Sequence, residues 1–232
     1  MNPPIDHSAI ARRRAFTLIE VLTVVALIGV IATMVMPVAQ TVRSKALRAK
    51  TRAQLSQWAI AMEMFNAEYG SYPKIDGSYV GGRSGADGLV NGEKFSVALS
   101  GRKLDGDDTA LRNANPSSRG QLTVGNTKLI TFYSPAQGEI NIEDNPPSLM
   151  DYFGNKEIGV LYDKNGDGII NRNDVTTLQP VSARVGGKYT PDTTADINLT
   201  LGVHAPVIFY SPGIGEPSGQ AIEASEAVFS WK

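Results

Sequence analysis

One stretch of the chain is apolar at nearly every position. It runs over residues 16–37 and contains a single charged residue, Glu20. At about 1.5 Å of rise per residue, a helix over these positions would be roughly 33 Å long, which is enough to cross the hydrocarbon core of a bilayer. Three arginines, residues 12–14, precede it. The pattern therefore predicts a transmembrane helix over residues 16–37.

Beyond this segment the apolar positions recur with the 3.6-residue period of an amphipathic helix. The stripe consists of Leu55, Ala59, Met62, Phe65 and Tyr69. Gly70 and Pro73 follow, and these residue types commonly end helices. We predict that the helix continues through residues 38–69 and packs this stripe on a globular domain formed by residues 70–232.

The globular domain reads as short elements separated by turn residues. The segment GEKFSVALSGRKL predicts a short helix whose apolar face contains Phe95, Ala98 and Leu99. Strands are predicted at residues 128–134, 138–142, 157–163 and 205–211. The fold class that results is α+β, in which a small antiparallel sheet with loop-rich insertions packs on the long helix.

Composition and charge disfavour several function classes. The net charge is −1 over 232 residues, so no broad basic face for nucleic acid is expected. Without cysteine the chain has neither disulfides nor thiol chemistry. A Ser-His-Asp triad would depend on His204, which is more simply a residue beside a strand. We expect no enzyme, and a membrane-anchored hydrolase is the remaining catalytic alternative.

Glu20 is the unusual residue of the apolar segment. A carboxylate at membrane depth is unfavourable by a few kcal/mol when it has no partner. No Lys, Arg or His lies within the four residues that follow it, so we expect its cation to come from another molecule. By hydropathy alone, a plain signal anchor or a secretory signal peptide would also fit this segment.

The segment RRRAFTLIEVL resembles the prepilin peptidase recognition site of type IV pilins and type II secretion pseudopilins. The resemblance implies that residues 1–15 form a leader, that cleavage falls between Ala15 and Phe16, and that the new amine of Phe16 is N-methylated. It also implies that Glu20 neutralises the amino terminus of a neighbouring subunit during filament assembly. The family prefers Gly immediately before the cleavage site, where this chain has Ala15.

Further segments are similar to pseudopilins, including MFNAEYGSYP, MDYFGN and the carboxyl-terminal Ser-Trp. The implied protein is a pseudopilin that polymerises into the periplasmic pseudopilus of a type II secretion system. It would be single-pass in the bacterial inner membrane with a periplasmic carboxyl-terminal domain. Its partners would be itself, other pseudopilins, the prepilin peptidase and the inner-membrane secretion platform. A type IV pilin for adhesion, motility or DNA uptake is the alternative, although such pilins usually close a carboxyl-terminal loop with a disulfide.

The acidic segment DKNGDGIINRND, residues 163–174, has its own chemistry. Its alternating oxygen donors and the Gly at position six resemble a calcium-binding loop. The predicted ligands are Asp163, Asn165, Asp167, Asp174, the carbonyl of Ile169 and, through water, Asn171. A plain hairpin turn without metal fits the same residues. A single loop of this type also resembles half a dockerin module, so a membrane-anchored dockerin-like binding protein is a further alternative.

Overall fold

The computed structural model describes residues 16–77, 88–175 and 177–231, and for residues 34–40 it describes the backbone but not the side chains. The predicted leader, residues 1–15 with Ala15, lies outside the described residues. The chain divides into two compact units, Met1–Arg43 and Ser44–Lys232.

The first helix, α1, runs from Leu18 to Tyr69 and confirms the predicted helical segments. It ends at Gly70, which has a φ of 73° and donates its N–H to the carbonyl oxygen of Asn66 at 2.7 Å. Glycine adopts this left-handed conformation without the steric penalty of a Cβ atom, so the helix ends where the sequence predicted.

Within the part of the chain that the structure describes, no helix is both long and apolar enough to cross a membrane.

Among the described residues of the second unit, three shorter α-helices follow: α2 (Gly92–Ser100), α3 (Thr109–Arg112) and α4 (Pro116–Leu122). The side chain of Asn91 caps α2 by accepting the N–H of Lys94 at 3.0 Å, and Gly101 ends the helix with a φ of 67°. Phe95, Ala98 and Leu99 are fully buried, which confirms the short helix and its apolar face.

The strands of the described residues are short, and those that pair with one another are antiparallel. They are β1 (Ile140–Asn141), β2 (Ser148–Leu149), β3 (Gly159–Tyr162), β4 (Val181–Ser182), β5 (Lys188–Tyr189), β6 (Val207–Ser211) and β7 (Val228–Phe229). The main sheet has the order β3-β6-β7, while β1–β2 and β4–β5 form two separate ribbons. Helices and small antiparallel sheets together confirm the α+β class.

The main sheet is covered on both faces. In β6, Val207 and Phe209 join a core that includes residues of α1, whereas Ile208 and Tyr210 point into a second core on the other face. All five residues of this strand are buried. A strand covered on both sides reads as a continuous apolar run and not as an alternating one, and the segment VIFY has that pattern.

Trp58 of α1 is the centre of the first core. Its ring centroid lies 4.5 Å from that of Phe95 and 5.6 Å from that of Phe209, the latter in an edge-to-face arrangement. Leu55, Met62 and Phe65 of the predicted stripe are buried beside it. Aromatic pairs in this geometry add about 0.5–1.5 kcal/mol beyond the area that they bury, so this contact helps to fix α1 on α2 and the sheet.

The predicted strand at residues 128–134 is wrong. Leu129 has a φ of 53°, and the N–H groups of Phe132 and Tyr133 both donate to the carbonyl oxygen of Leu99. The segment therefore provides hydrogen-bond donors to a carbonyl oxygen near the end of α2, and it pairs with no strand in the part of the chain that the structure describes. The strand predicted at 138–142 shortens to β1 after a 3-10 turn at Gln137–Glu139, while those at 157–163 and 205–211 are confirmed as β3 and β6.

Candidate functional site

The first turn of α1 contains a reciprocal hydrogen-bonded pair. The backbone N–H and the hydroxyl of Thr17 both donate to Glu20 Oε2, at 2.8 and 2.9 Å. In return, the N–H of Glu20 donates to Thr17 Oγ1 at 3.2 Å. This is a capping box, in which two side chains satisfy backbone N–H groups that the helix leaves without partners.

Thr17 thus gives Glu20 a local hydrogen-bond partner, while the expectation of a cation from another molecule stays a prediction. The spacing Thr-x-x-Glu at the start of an apolar run is the sequence pattern of a capping box. It contains no basic residue, so the pattern is missed when only cations are considered as partners of Glu20. Hydroxyl and amide donors orient a carboxylate without neutralising it. Glu20 is exposed and retains lone pairs for a cation.

The apolar side chains around Glu20 are also exposed. Those more than half exposed are Phe16, Leu18, Ile19, Val21, Leu22, Val24, Val25, Leu27, Ile28, Val30 and Ile31. A continuous apolar surface of this kind marks a site of protein–protein or membrane interaction. The carboxylate of Glu20 therefore lies within an apolar surface that other molecules must cover.

Residues 10–36 match the family model of the prokaryotic N-terminal methylation motif. The chain carries this methylation motif. The motif is typical of type IV pilin-like and pseudopilin precursors, and the matched range includes Ala15, Phe16 and Glu20. No curated protein and no solved structure matches the chain. The amino-terminal segment is thus similar to that of pilin-like precursors.

The acidic loop that follows β3 is closed by two buried aspartates. Asp163 accepts the N–H of Gly166 on Oδ1 and that of Gly168 on Oδ2, both at 2.7 Å. Asp174 accepts the N–H of Lys164 on Oδ1 at 2.9 Å and that of Asn171 on Oδ2 at 3.0 Å. The two carboxylates therefore hold both ends of the loop through backbone N–H groups.

The remaining predicted ligands bond within the loop. Asn165 Oδ1 accepts the N–H of Asp167 at 2.9 Å, and Asp167 Oδ1 accepts the N–H of Ile169 at 2.8 Å. The Asn171 amide lies 3.5 Å from the carbonyl oxygen of Ile169. Ile170 is fully buried and exchanges two 2.9 Å backbone hydrogen bonds with Val203, which anchors the loop to the domain.

The chemistry of this donor set suits a hard cation such as Ca²⁺, because all the predicted ligands are oxygens and each oxygen can accept more than one bond. Asp163 and Asp174 are buried, whereas Asp167 is exposed. Over the described ranges, no group of three or more His, Cys, Asp or Glu is arranged to hold a metal ion. Calcium at residues 163–174 stays a prediction.

The turn MDYFGN contains another buried carboxylate, Asp151. Asp151 Oδ1 accepts the N–H of Phe153 at 2.9 Å and that of Asn155 at 2.8 Å, while Oδ2 accepts the Asn155 amide at 2.9 Å and the Ser211 hydroxyl. The Asn155 amide also donates to the carbonyl oxygen of Gly213 at 2.7 Å. Burial raises the pKa of Asp151 above its ordinary value. This network joins the turn to the end of β6 and has a structural role.

Proposed function

We propose that the protein is a pseudopilin: it is cleaved between Ala15 and Phe16, N-methylated on Phe16 and polymerised into the periplasmic pseudopilus of a type II secretion system. The observation that carries the proposal is the methylation motif at residues 10–36, which includes Glu20 within an exposed apolar helix surface. Before assembly the chain is held in the inner membrane by residues 16–37, with the carboxyl-terminal domain in the periplasm.

Assembly in this proposal depends on a charge pair between subunits. Cleavage creates a positively charged amine at Phe16, and methylation leaves that charge in place. When the apolar helices pack together, an unpaired amine or carboxylate would be buried at a penalty of several kcal/mol. A register that places the Phe16 amine of one subunit beside Glu20 of its neighbour removes both penalties. The capping box with Thr17 holds the carboxylate at the helix start for this pairing.

Processing is tested by mass spectrometry of the chain isolated from membranes. The mature chain should begin at N-methylated Phe16. An unmodified amino terminus would point to a plain anchor. A chain that begins at Gln40 would point to a secretory signal peptide, and either result would overturn the proposal.

The charge pair is tested with three variants in an assembly assay. Glu20→Val and Glu20→Gln should insert into the membrane but form few or no filaments, because both remove the counter-charge for the Phe16 amine. Thr17→Ala keeps the charge and loses only the capping box, so it should retain more filament than either. A normal yield from Glu20→Gln would show that Glu20 acts as a capping residue and not as a counter-charge.

A type IV pilin for adhesion, motility or DNA uptake would carry the same motif. The absence of cysteine favours secretion, because it excludes the disulfide-closed loop usual in such pilins. Deletion of the gene should therefore stop the export of a secreted protein and leave surface filaments intact. The opposite pattern would assign the chain to a type IV pilus. Crosslinks to the inner-membrane secretion platform and to other pseudopilins would support the first assignment.

A further inference from the structure

The acidic loop contains an Asn-Gly pair, Asn165-Gly166, and the sequence has one other such pair, Asn91-Gly92. In an Asn-Gly pair, the backbone nitrogen of glycine can attack the side-chain amide carbon of asparagine. A nitrogen–carbon bond forms, the bond to the amide nitrogen breaks, and ammonia leaves. Water then opens the cyclic imide to aspartate or isoaspartate. Glycine favours this reaction because it has no Cβ to hinder the ring closure.

At Asn165 the nucleophile, the amide oxygen and the leaving nitrogen each have a hydrogen-bond partner within the loop. The Gly166 N–H, which is the nucleophile, donates to Asp163 Oδ1 at 2.7 Å, so a proton acceptor is already in place. Asn165 Oδ1, on which negative charge develops, accepts the N–H of Asp167 at 2.9 Å. Asn165 Nδ2, which departs as ammonia, donates to Asp167 Oδ2 at 2.9 Å.

The surroundings of Gly166 also leave room for the ring to close. Gly166 is exposed, has a φ of 76°, and has no heavy atom within 4 Å of the position that a Cβ would occupy. Cyclisation needs rotation of the backbone and of the asparagine side chain. An open loop tip permits these movements more readily than a packed helix does.

Asn91-Gly92 provides the opposite environment in the same chain. Asn91 Oδ1 caps α2 by accepting the N–H of Lys94, and Asn91 Nδ2 donates to the carbonyl oxygen of Gly77 at 3.3 Å. Gly92 is the first residue of α2, and a Cβ added there would lie 2.9 Å from the Cβ of Leu149. The helix and this packing hold the pair in one conformation.

We propose that Asn165 is a self-modification site, at which the folded loop converts the asparagine amide to a carboxylate through attack by Gly166 N. The Gly166 amide proton passes to the Asp163 carboxylate, and Asn165 Nδ2 takes one proton from solvent water and departs as ammonia. A water molecule then adds to the cyclic imide and opens it to the carboxylate. The aspartate product adds a negative charge at the third position of the loop, between Asp163 and Asp167. The modification is independent of filament assembly.

The experiment follows both Asn-Gly peptides in one sample of the full-length protein. The protein is incubated at neutral pH with chelator, digested, and mapped by mass spectrometry for the amide-to-acid conversion and for isoaspartate. Conversion at Asn165 should be at least about tenfold faster than at Asn91, a difference of about 1.4 kcal/mol in activation free energy. In urea the two rates should converge, because the structural difference is lost.

Two variants test the roles of the carboxylates. Asp163→Asn removes the carboxylate that takes the Gly166 proton, and Asp167→Asn removes the carboxylate that orients the Asn165 amide. Each should slow conversion at Asn165 while Asn91 is unchanged. A thermal melt of each variant confirms that it is folded. Conversion at the parent rate in both folded variants would show that Asn165 reacts only because it precedes glycine. An intact Asn165, after a time that converts it fully in urea, would overturn the proposal.

Discussion

The ring of Tyr210 occupies the position where a side chain of Gly159 would lie. The two residues are directly paired across β3 and β6, and an ideal Cβ at Gly159 would be only 2.0 Å from Tyr210 Cζ. The Tyr210 hydroxyl donates to the carbonyl oxygen of Gln179 at 2.7 Å, so the ring is held at both ends. Because Gly159 has no side chain, the Tyr210 ring can pack against this strand as part of the second core.

Gly159→Ala should lower the free energy of unfolding by about 1–3 kcal/mol or more, because a buried ring and a strand must move apart to admit one methyl group. Gly120→Ala is the matched control. A Cβ at Gly120 would lie 3.9 Å from its nearest neighbour, Thr127 Cγ2, so there is room for it. Gly120 lies inside α4, where alanine favours the helix more than glycine does. That change should raise stability by up to about 1 kcal/mol. The free energy of unfolding of both variants is measured in urea. A Gly159→Ala variant as stable as the parent would refute the close contact between Gly159 and the Tyr210 ring.

Asp151→Ala should be strongly destabilising, since it leaves the buried donors of Asn155 and Ser211 without an acceptor. Each such group costs about 1–3 kcal/mol. Asp192 makes a comparable set of bonds on the surface, where it accepts the N–H groups of Thr194 at 2.7 Å and Ala195 at 2.8 Å. In the Asp192→Ala variant water can accept these N–H groups, so the free energy of unfolding should fall clearly less than in Asp151→Ala. Equal losses for the two variants in denaturant titrations would argue against the buried network.

Stability should fall as the pH rises through the acidic range because of Glu139. This buried carboxyl accepts the Tyr133 hydroxyl at 2.8 and 2.6 Å, and burial raises its pKa. A carboxyl with a raised pKa in the folded state stabilises fully below its unfolded pKa, about 4.3, and loses that contribution as the pH rises through its folded pKa. Glu139→Gln should reduce this slope in a plot of unfolding free energy against pH, while the part that comes from Asp151 remains.

Asp192 provides a control of opposite sign. Hydrogen bonds from Thr194, followed by those from the Ala195 backbone, lower its pKa to about 2. Its contribution is therefore present above the unfolded pKa of about 3.9 and is lost as the pH falls toward 2. Asp192→Asn lacks this contribution, so its free energy of unfolding should fall less than that of the parent as the pH falls through this lower window. This pH dependence is opposite in sign to that of Glu139. A Glu139→Gln curve parallel to that of the parent would contradict the assignment.

Calcium should raise the melting temperature of the unit Ser44–Lys232 if residues 163–174 bind it. Asp174 at the last position has a shorter reach than the glutamate of sensor loops, so we expect a dissociation constant of roughly 10⁻⁴–10⁻³ M. At about tenfold excess over this constant, binding would add about 1.4 kcal/mol to the free energy of unfolding. The combined variant Asp163→Ala and Asp167→Ala should lose the response. Identical melts of the parent with calcium and with chelator would leave the loop a plain turn.

The sequence by itself determined the features that depend on neighbouring residues. The apolar run from Phe16, the stripe from Leu55 to Tyr69 and the glycine stop at Gly70 are local patterns, and α1 follows them. The same holds for the short helix α2, whose cap and apolar face lie within a few residues of each other. The Thr17–Glu20 capping box was equally readable from its spacing.

The tertiary structure alone decided which apolar runs became strands. Residues 128–134 and 205–211 are similar in composition, but only the second is covered on both faces, by segments distant in the chain. The first instead satisfies the carbonyl of Leu99, a partner that no local pattern reveals. The contact of Tyr210 with Gly159 likewise joins residues about fifty positions apart. Local periodicity specifies a helix because its hydrogen bonds are local, whereas a strand depends on the segments that pair with it and cover it.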